Sequence, residues 1–391
     1  MAVFAEFSMK FNFFHLMPYP DYDKLPHEWP VSTHDIDSRR IQALYKEYVD
    51  EMVDAENYGF DWVGCNEHHY SPYGLMANPN LIAGALARQT EKAKIAIVGN
   101  LLPLLNPIRV AEEYAMIDVM SGGRLIAGFL RGIPHEYIAY NIPPSESRSR
   151  LREATELIIK CWTEDEPFGW EGEHYQFPAV SIWPKPIQKP YPRILMSASN
   201  EESAEFVAKT RAIMGITLIQ DLGAARKAIE HFRNVSRGYG WEPTPDDILV
   251  GQQICIADTD EEAKEHMASA QTYFHQTLMR PQRSAQQLVL QQSRYYTGTD
   301  VGENFQKRLA TLRNRTVDEQ IEAGSIICGS PESVRQANPP PQSGTGLRSA
   351  QPDHQGRQHA GQRRPPWHGT VPRSRRAARC WSLRGGLIHD F

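Results

Sequence analysis

Between residues 10 and 220 the chain alternates short β-type runs with longer amphipathic stretches, and that alternation limits the possible folds more than any composition figure does. The run KFNFFHL is followed by the helical SRRIQALYKEYVDEMVDAENYG, FDWVGCN by NPNLIAGALARQTE, KIAIVGNLL by NPIRVAEEYAMIDVMSGG, RLIAGFLRG by SRSRLREATELIIKCWTE, and PRILMSAS by NEESAEFVAKTRA. Strand, helix, strand order of this kind calls for parallel strands joined by crossover helices. Glycines at 59, 122, 123 and 132 fall where elements should stop. Further on come the helical LGAARKAIEHFRNVSRGYG, a strand ILVGQQICIA, and TDEEAKEHMASAQTYFHQTL, with a capping pattern from Thr259 to Glu262. Together these make roughly seven βα units, close to the eight of a TIM barrel.

At 391 residues there is ample chain for a large core. Lys plus Arg number 42 against 47 Asp plus Glu, a net charge of −5, which gives no sign of nucleic-acid binding. No run of 18 apolar residues occurs and the start lacks a secretion signal, so the expectation is a cytoplasmic protein with no membrane span. The five cysteines (Cys65, Cys161, Cys255, Cys328, Cys380) are scattered and never in CxxC spacing, which argues against a disulfide framework or a structural zinc.

Residues 335–391 depart from this pattern. They hold ten arginines, no lysine, two acids, seven prolines and seven glycines, with few aliphatic residues. Such a composition cannot offset its ordering entropy by burial, and the segment is expected to be a disordered tail on a barrel domain of residues 1–334. Two origins fit it: a basic arm for nucleic acid or another polyanion, or translation of an altered reading frame.

The residues with most chemistry follow FDWVG, in NEHHYSPYG. In a βα barrel, active groups lie at the C-terminal strand ends, which is where Asn66 to Tyr70 falls. Metal ligation, acid/base work and a structural polar turn all remain open. A zinc-protease helix needs histidines four apart, whereas His68 and His69 are adjacent and must diverge. One of them could manage protons while the other is fixed in the wall by an acid such as Glu67. The third strand ends with Gly99, Asn100, Leu101 and Leu102, which suit a planar apolar ring with polar edges. Arg131 ends the fourth, where a guanidinium can grip a phosphate. At the fifth, Ser197, Ser199, Asn200 and Ser203 open a helix that can serve as an anion site, or simply as a cap. Jointly they point to a flat, phosphorylated, aromatic cofactor. No GxGxxG after the first strand, Walker A motif or GxSxG elbow competes with that reading.

The segment from NEHHYSPYG through VGNLLPLLNP to RLIAGFLRG closely resembles the bacterial luciferase-like, flavin-dependent monooxygenases, and the resemblance extends over residues 9–334. It implies an α/β TIM barrel that binds reduced FMN, delivered by a separate flavin reductase, and uses molecular oxygen on a small organic substrate, commonly as a homodimer. By the same resemblance the catalytic position is His68, with His69 beside it. Asn100, Leu101 and Leu102 match the segment against the flavin ring, where the family can carry a non-prolyl cis peptide. Leu130 matches the side chain beside the reactive carbon, and Arg131, Ser199, Asn200 and Ser203 match the phosphate site; His135 and Tyr137 fall on the substrate side. A deazaflavin-dependent oxidoreductase of the same fold is the nearest alternative, and a catalytically silent flavin- or polyanion-binding protein the more distant one. Two departures stand out. After GSIICGSPESV a final strand and helix should follow, yet the arginine-rich tail does, so the last βα unit is missing or altered. The proline- and aromatic-rich PYPDYDKLPHEWPVSTHDID after the first strand is either a cap on the substrate pocket or a surface loop.

Overall fold

The computed structural model describes residues 10–22, 28–198, 201–219, 221–295, 303, 315–337 and 383–385. In chain order the strands are β1 (Phe11–Phe14), β2 (Trp62–Cys65), β3 (Lys94–Leu101), β4 (Leu125–Leu130), β5 (Phe168–Glu171), β6 (Gln176–Val180), β7 (Arg193–Ser197), β8 (Ile213–Ile216), β9 (Ile248–Val250), β10 (Gln253–Ile256), β11 (Ile326–Gly329) and β12 (Leu383–Gly385). The helices used below are α1 (Ser38–Asn57), α2 (Pro79–Gln89), α3 (Pro107–Ser121), α4 (Pro134–Ala139), α5 (Ser147–Thr163), α6 (Glu201–Lys209), α7 (Leu222–Gly238), α8 (Asp260–Tyr273) and α9 (Arg280–Gln292).

Seven strands pair in parallel in the order β1-β2-β3-β4-β7-β8-β9. Their side chains alternate between two cores, as the period of two requires. Phe14, Ala96, Val98, Ile126, Leu195, Ile213 and Leu249 form one buried cluster drawn from six different strands, which only a curled sheet can bring together. Ile95, Ile97, Leu125, Ala127, Phe129, Ile194, Met196, Met214, Ile248 and Val250 face the other way, into the larger core under the helices. The result is the expected TIM-barrel-like α/β fold.

Helix starts follow local chemistry. The Asn78 side chain accepts from the Asn80 amide and that of Asn106 from the Ile108 amide, each just before a proline in the first turn. Thr259 caps α8 through the Glu262 amide, as its spacing implied.

The last part of the barrel differs from the simple pattern. ILVGQQICIA does not form one strand: β9 stays in the main sheet, and β10, after Gly251 and Gln252, pairs with β11 as a separate parallel pair. β12 lies antiparallel to β1 (Phe11 opposite Gly385) and also approaches β9, so an eighth parallel strand is absent among the described residues. The β5–β6 hairpin between α5 and β7 is an addition the periodicity did not announce. No helix among the described residues is long and apolar enough to cross a membrane.

Candidate functional site

The strand ends of β2, β3, β4 and β7 are neighbours in the sheet, so residues far apart in sequence share one rim. Directly after β2, the two adjacent histidines diverge and engage different acids. His68 Nδ1 is 2.8 Å from Glu136 Oε1 in α4, and its Nε2 is 2.8 Å from Asn66 Nδ2. An amide N–H can only donate, so Nε2 accepts and the proton on Nδ1 points at Glu136. The same carboxylate accepts the Ile133 amide at 2.8 Å through its second oxygen. Glu136 is fully buried, while the His68 side chain keeps 12 % of its surface exposed. Burial pushes the Glu136 carboxyl up, but the His68 hydrogen bond and charge, the His135 ring and the Ile133 amide outweigh it and hold the carboxyl below its ordinary value.

His69 turns into the wall. Its Nε2 lies 2.7 Å from Glu67 Oε1 and its Nδ1 3.1 Å from the Tyr140 hydroxyl, so both ring nitrogens are engaged. Glu67 Oε2 in turn accepts the Leu101 amide at 3.1 Å, tying the β2 loop to the end of β3. For Glu67 burial dominates and raises the carboxyl above its ordinary value, against the pull of His69 and the Leu101 amide. The two acid–histidine pairs thus hold carboxyls shifted in opposite directions within one small region.

Asn100 is buried. Its Nδ2 donates to Asn80 Oδ1 at 2.9 Å, and Asn80 Nδ2 donates to Glu113. Leu102 opens a short 3-10 turn, Leu102–Leu104, and the Val98–Gly99 peptide just before this segment is cis. Leu130 is the last residue of β4. Arg131 follows it, and its charge acts on the Tyr137 phenol, whose hydroxyl donates to the Arg131 and Gly132 carbonyls. Ser203 lies in the first turn of α6; Ser199 and Asn200 lie outside the described residues. Glu67 therefore joins His69 to the Leu101 amide, and Glu136 separately joins His68 to the Ile133 amide. Leu130, Arg131 and Ser203 share the rim by strand position.

Glu136 escaped the sequence reading. The signal was its place beside His135 in PHEY, one loop beyond Arg131, where a helix turn brings it back over β2. Trp29, from the loop after β1, also reaches the site: its ring centroid is 6.4 Å from those of Tyr70 and His135.

Parallel strands curled about an apolar interior carry carboxylate–histidine pairs at their C-terminal ends. The chain belongs to the luciferase-like monooxygenase family, whose model matches residues 30–337. It is 28% identical over 232 residues to the oxygenase component of flavin-dependent trigonelline monooxygenase from Acinetobacter baylyi, covering 57% of this chain and 63% of that protein. The chain thus spans less than two thirds of that relative's length. Among solved structures, the oxygenating constituent of 3,6-diketocamphane monooxygenase from Pseudomonas putida, in complex with FMN, superposes with a TM-score of 0.65 at 18% identity, over 85% of this chain and 88% of that one. The coenzyme F420 dependent tetrahydromethanopterin reductase of Methanopyrus kandleri gives 0.56 at 17% identity, over 84% and 89%. Likeness at these identities concerns the fold.

Proposed function

We propose that this protein is the oxygenase component of a flavin-dependent monooxygenase, using reduced FMN and molecular oxygen to oxidise a small organic substrate. In this reading it works in the cytoplasm as a homodimer, and a separate flavin reductase delivers the reduced FMN. The observation that carries the proposal is the His68–Glu136 pair at the rim of a barrel whose family is that of the luciferase-like monooxygenases.

The residues at the rim fit the group. Reduced flavin presents ring N–H donors, and Asn66 Oδ1 is a buried acceptor with no hydrogen-bond partner among the described residues. Asn100, Leu101, Leu102 and Leu130 would lie along the ring, with Arg131, Ser199, Asn200 and Ser203 at the phosphate. Bound there, reduced FMN supplies the electrons that activate oxygen.

The side chains then divide the work. His68, partly exposed, takes a proton at Nε2 in place of the hydrogen bond it accepts there from Asn66, while its Nδ1–H stays on the ionised Glu136. His69 has no nitrogen to spare; it holds Glu67, and through Glu67 the Leu101 amide, which makes it a positioning residue. The apolar Leu101, Leu102 and Leu130 keep water from the reacting atoms.

The test supplies reduced FMN, oxygen and a panel of aldehydes, amines, sulfonates and aromatic heterocycles, and follows oxygen uptake and products heavier by one oxygen atom. His68→Ala should keep FMN binding and lose about a hundredfold in product formation. Unchanged turnover removes His68 from the mechanism. Reduction of a substrate by a deazaflavin, with no oxygen uptake from reduced FMN, replaces the proposal with the hydride-transfer alternative.

A further inference from the structure

Beyond the acid–histidine pairs, a second set of buried polar atoms, on α4, on the helix packed against it and in the loop after β1, has no hydrogen-bond partner among the described residues. His135 has no exposed surface, and neither Nδ1 nor Nε2 meets a hydrogen-bond partner. The Trp29 ring stands edge-on to it, 6.4 Å between centroids, and Trp29 Nε1 is also buried and unpartnered. Helix α9 packs against α4, and its buried face carries Gln282 and Gln286 one turn apart. Both amide atoms of Gln282 and the Oε1 of Gln286 lack a partner as well. Buried polar groups in folded proteins are almost always satisfied, so one orphan is a curiosity but several around one helix need a common explanation.

The set has a definite chemistry. Burial lowers the His135 pKa to about 4, so near neutrality the ring offers one donor and one acceptor. The indole N–H only donates, whereas the Gln282 amide does both. None of these side chains is charged at neutral pH, and an ionised ligand group would lose its hydration here without gaining a counter-charge from them. The flat face of Trp29 adds an aromatic wall.

We propose that Trp29, His135 and Gln282 form a substrate-recognition subsite that selects an uncharged planar amide or N-heterocycle, one presenting a carbonyl acceptor beside an N–H donor. The reaction carried out on that ligand rests on the monooxygenase reading above; the binding preference does not.

The experiment uses the full chain and three probes of similar size: 2-pyridone, toluene and benzoate, followed by ligand-observed NMR titration. Wild type should bind 2-pyridone at least about tenfold more tightly than either of the others. Trp29→Phe keeps the ring and removes only the N–H, and Gln282→Leu keeps most of the volume; each should weaken 2-pyridone by about tenfold and leave toluene unchanged. No 2-pyridone binding at millimolar concentration, equal affinity for toluene, tighter benzoate binding, or indifference to both substitutions would each overturn the subsite. FMN titration of the same samples separates the two ideas. Intact flavin binding without a 2-pyridone preference rejects the subsite alone, whereas a preference without flavin binding rejects the monooxygenase reading.

Discussion

Two carboxylates of this rim do opposite things because their surroundings differ by a few contacts. Glu136 receives His68 and a backbone amide and stays ionised below the usual range, whereas Glu67, almost as buried, is pushed up despite His69. His135, next to Glu136, shows the same physics for a base: burial leads, the Glu136 charge partly offsets it, and the His68 and His69 charges add to the lowering, with a folded value of about 4 against 6.5. Between those two values the unfolded chain binds more protons than the folded one, so the His135 contribution to stability is complete above pH 6.5 and declines as the pH falls toward 4. The upper bound on that loss is about 3 kcal/mol. His135→Phe should flatten the decline, which urea denaturation at pH 7 and pH 5 measures; an equal pH dependence in both proteins would contradict a neutral buried His135. Both histidines of EHH and the acid between Asn66 and His68 were readable from their position after a strand. The Glu136 partnership was not, because it depends on how tightly the chain turns between Gly132, at φ 92°, and α4, which no periodicity encodes.

Strands β2, β3 and β4 approach more closely than ordinary side chains would allow. A Cβ on Gly64 would lie 1.8 Å from the Ala96 carbonyl oxygen, and one on Gly128 1.8 Å from that of Ile97. Both obstacles are backbone, so nothing nearby can rotate away. Gly128→Ala should therefore cost at least about 3 kcal/mol in urea denaturation, or give an insoluble protein. A cost below about 1 kcal/mol would show that the sheet yields. The sequence did not single out Gly64 or Gly128, since close approach is a property of two strands at once. Long helices such as α1, α3 and α5 were legible because their apolar faces repeat over several turns. The β5–β6 hairpin was not, because its strands have four and five residues and mostly exposed positions. Helix α9 was hidden for a related reason: the glutamines at 282 and 286 occupy part of its buried face, so its polar and buried positions do not separate.

At the scale of the whole molecule, the question is how the sheet closes when the described residues include no eighth parallel strand. Most of residues 335–391 lie outside the described residues, but Leu383–Gly385 supplies an antiparallel partner to β1. Without it, the outer edge of β1 would present unpaired N–H and C=O groups, a template for pairing between molecules. The ladder is only three residues long, and backbone hydrogen bonds contribute about 1 kcal/mol each, so its thermodynamic weight is small beside that of the core. A chain ending at Ala337 should accordingly melt a few degrees lower than the full chain and aggregate more as concentration rises. Static light scattering during thermal melting reads both effects in one experiment. Coincident midpoints and equal scattering would mean that this pairing gives the barrel nothing. A more stable truncated chain would mean that the tail opposes folding, as a segment carrying nine arginines and two acids could do through self-repulsion.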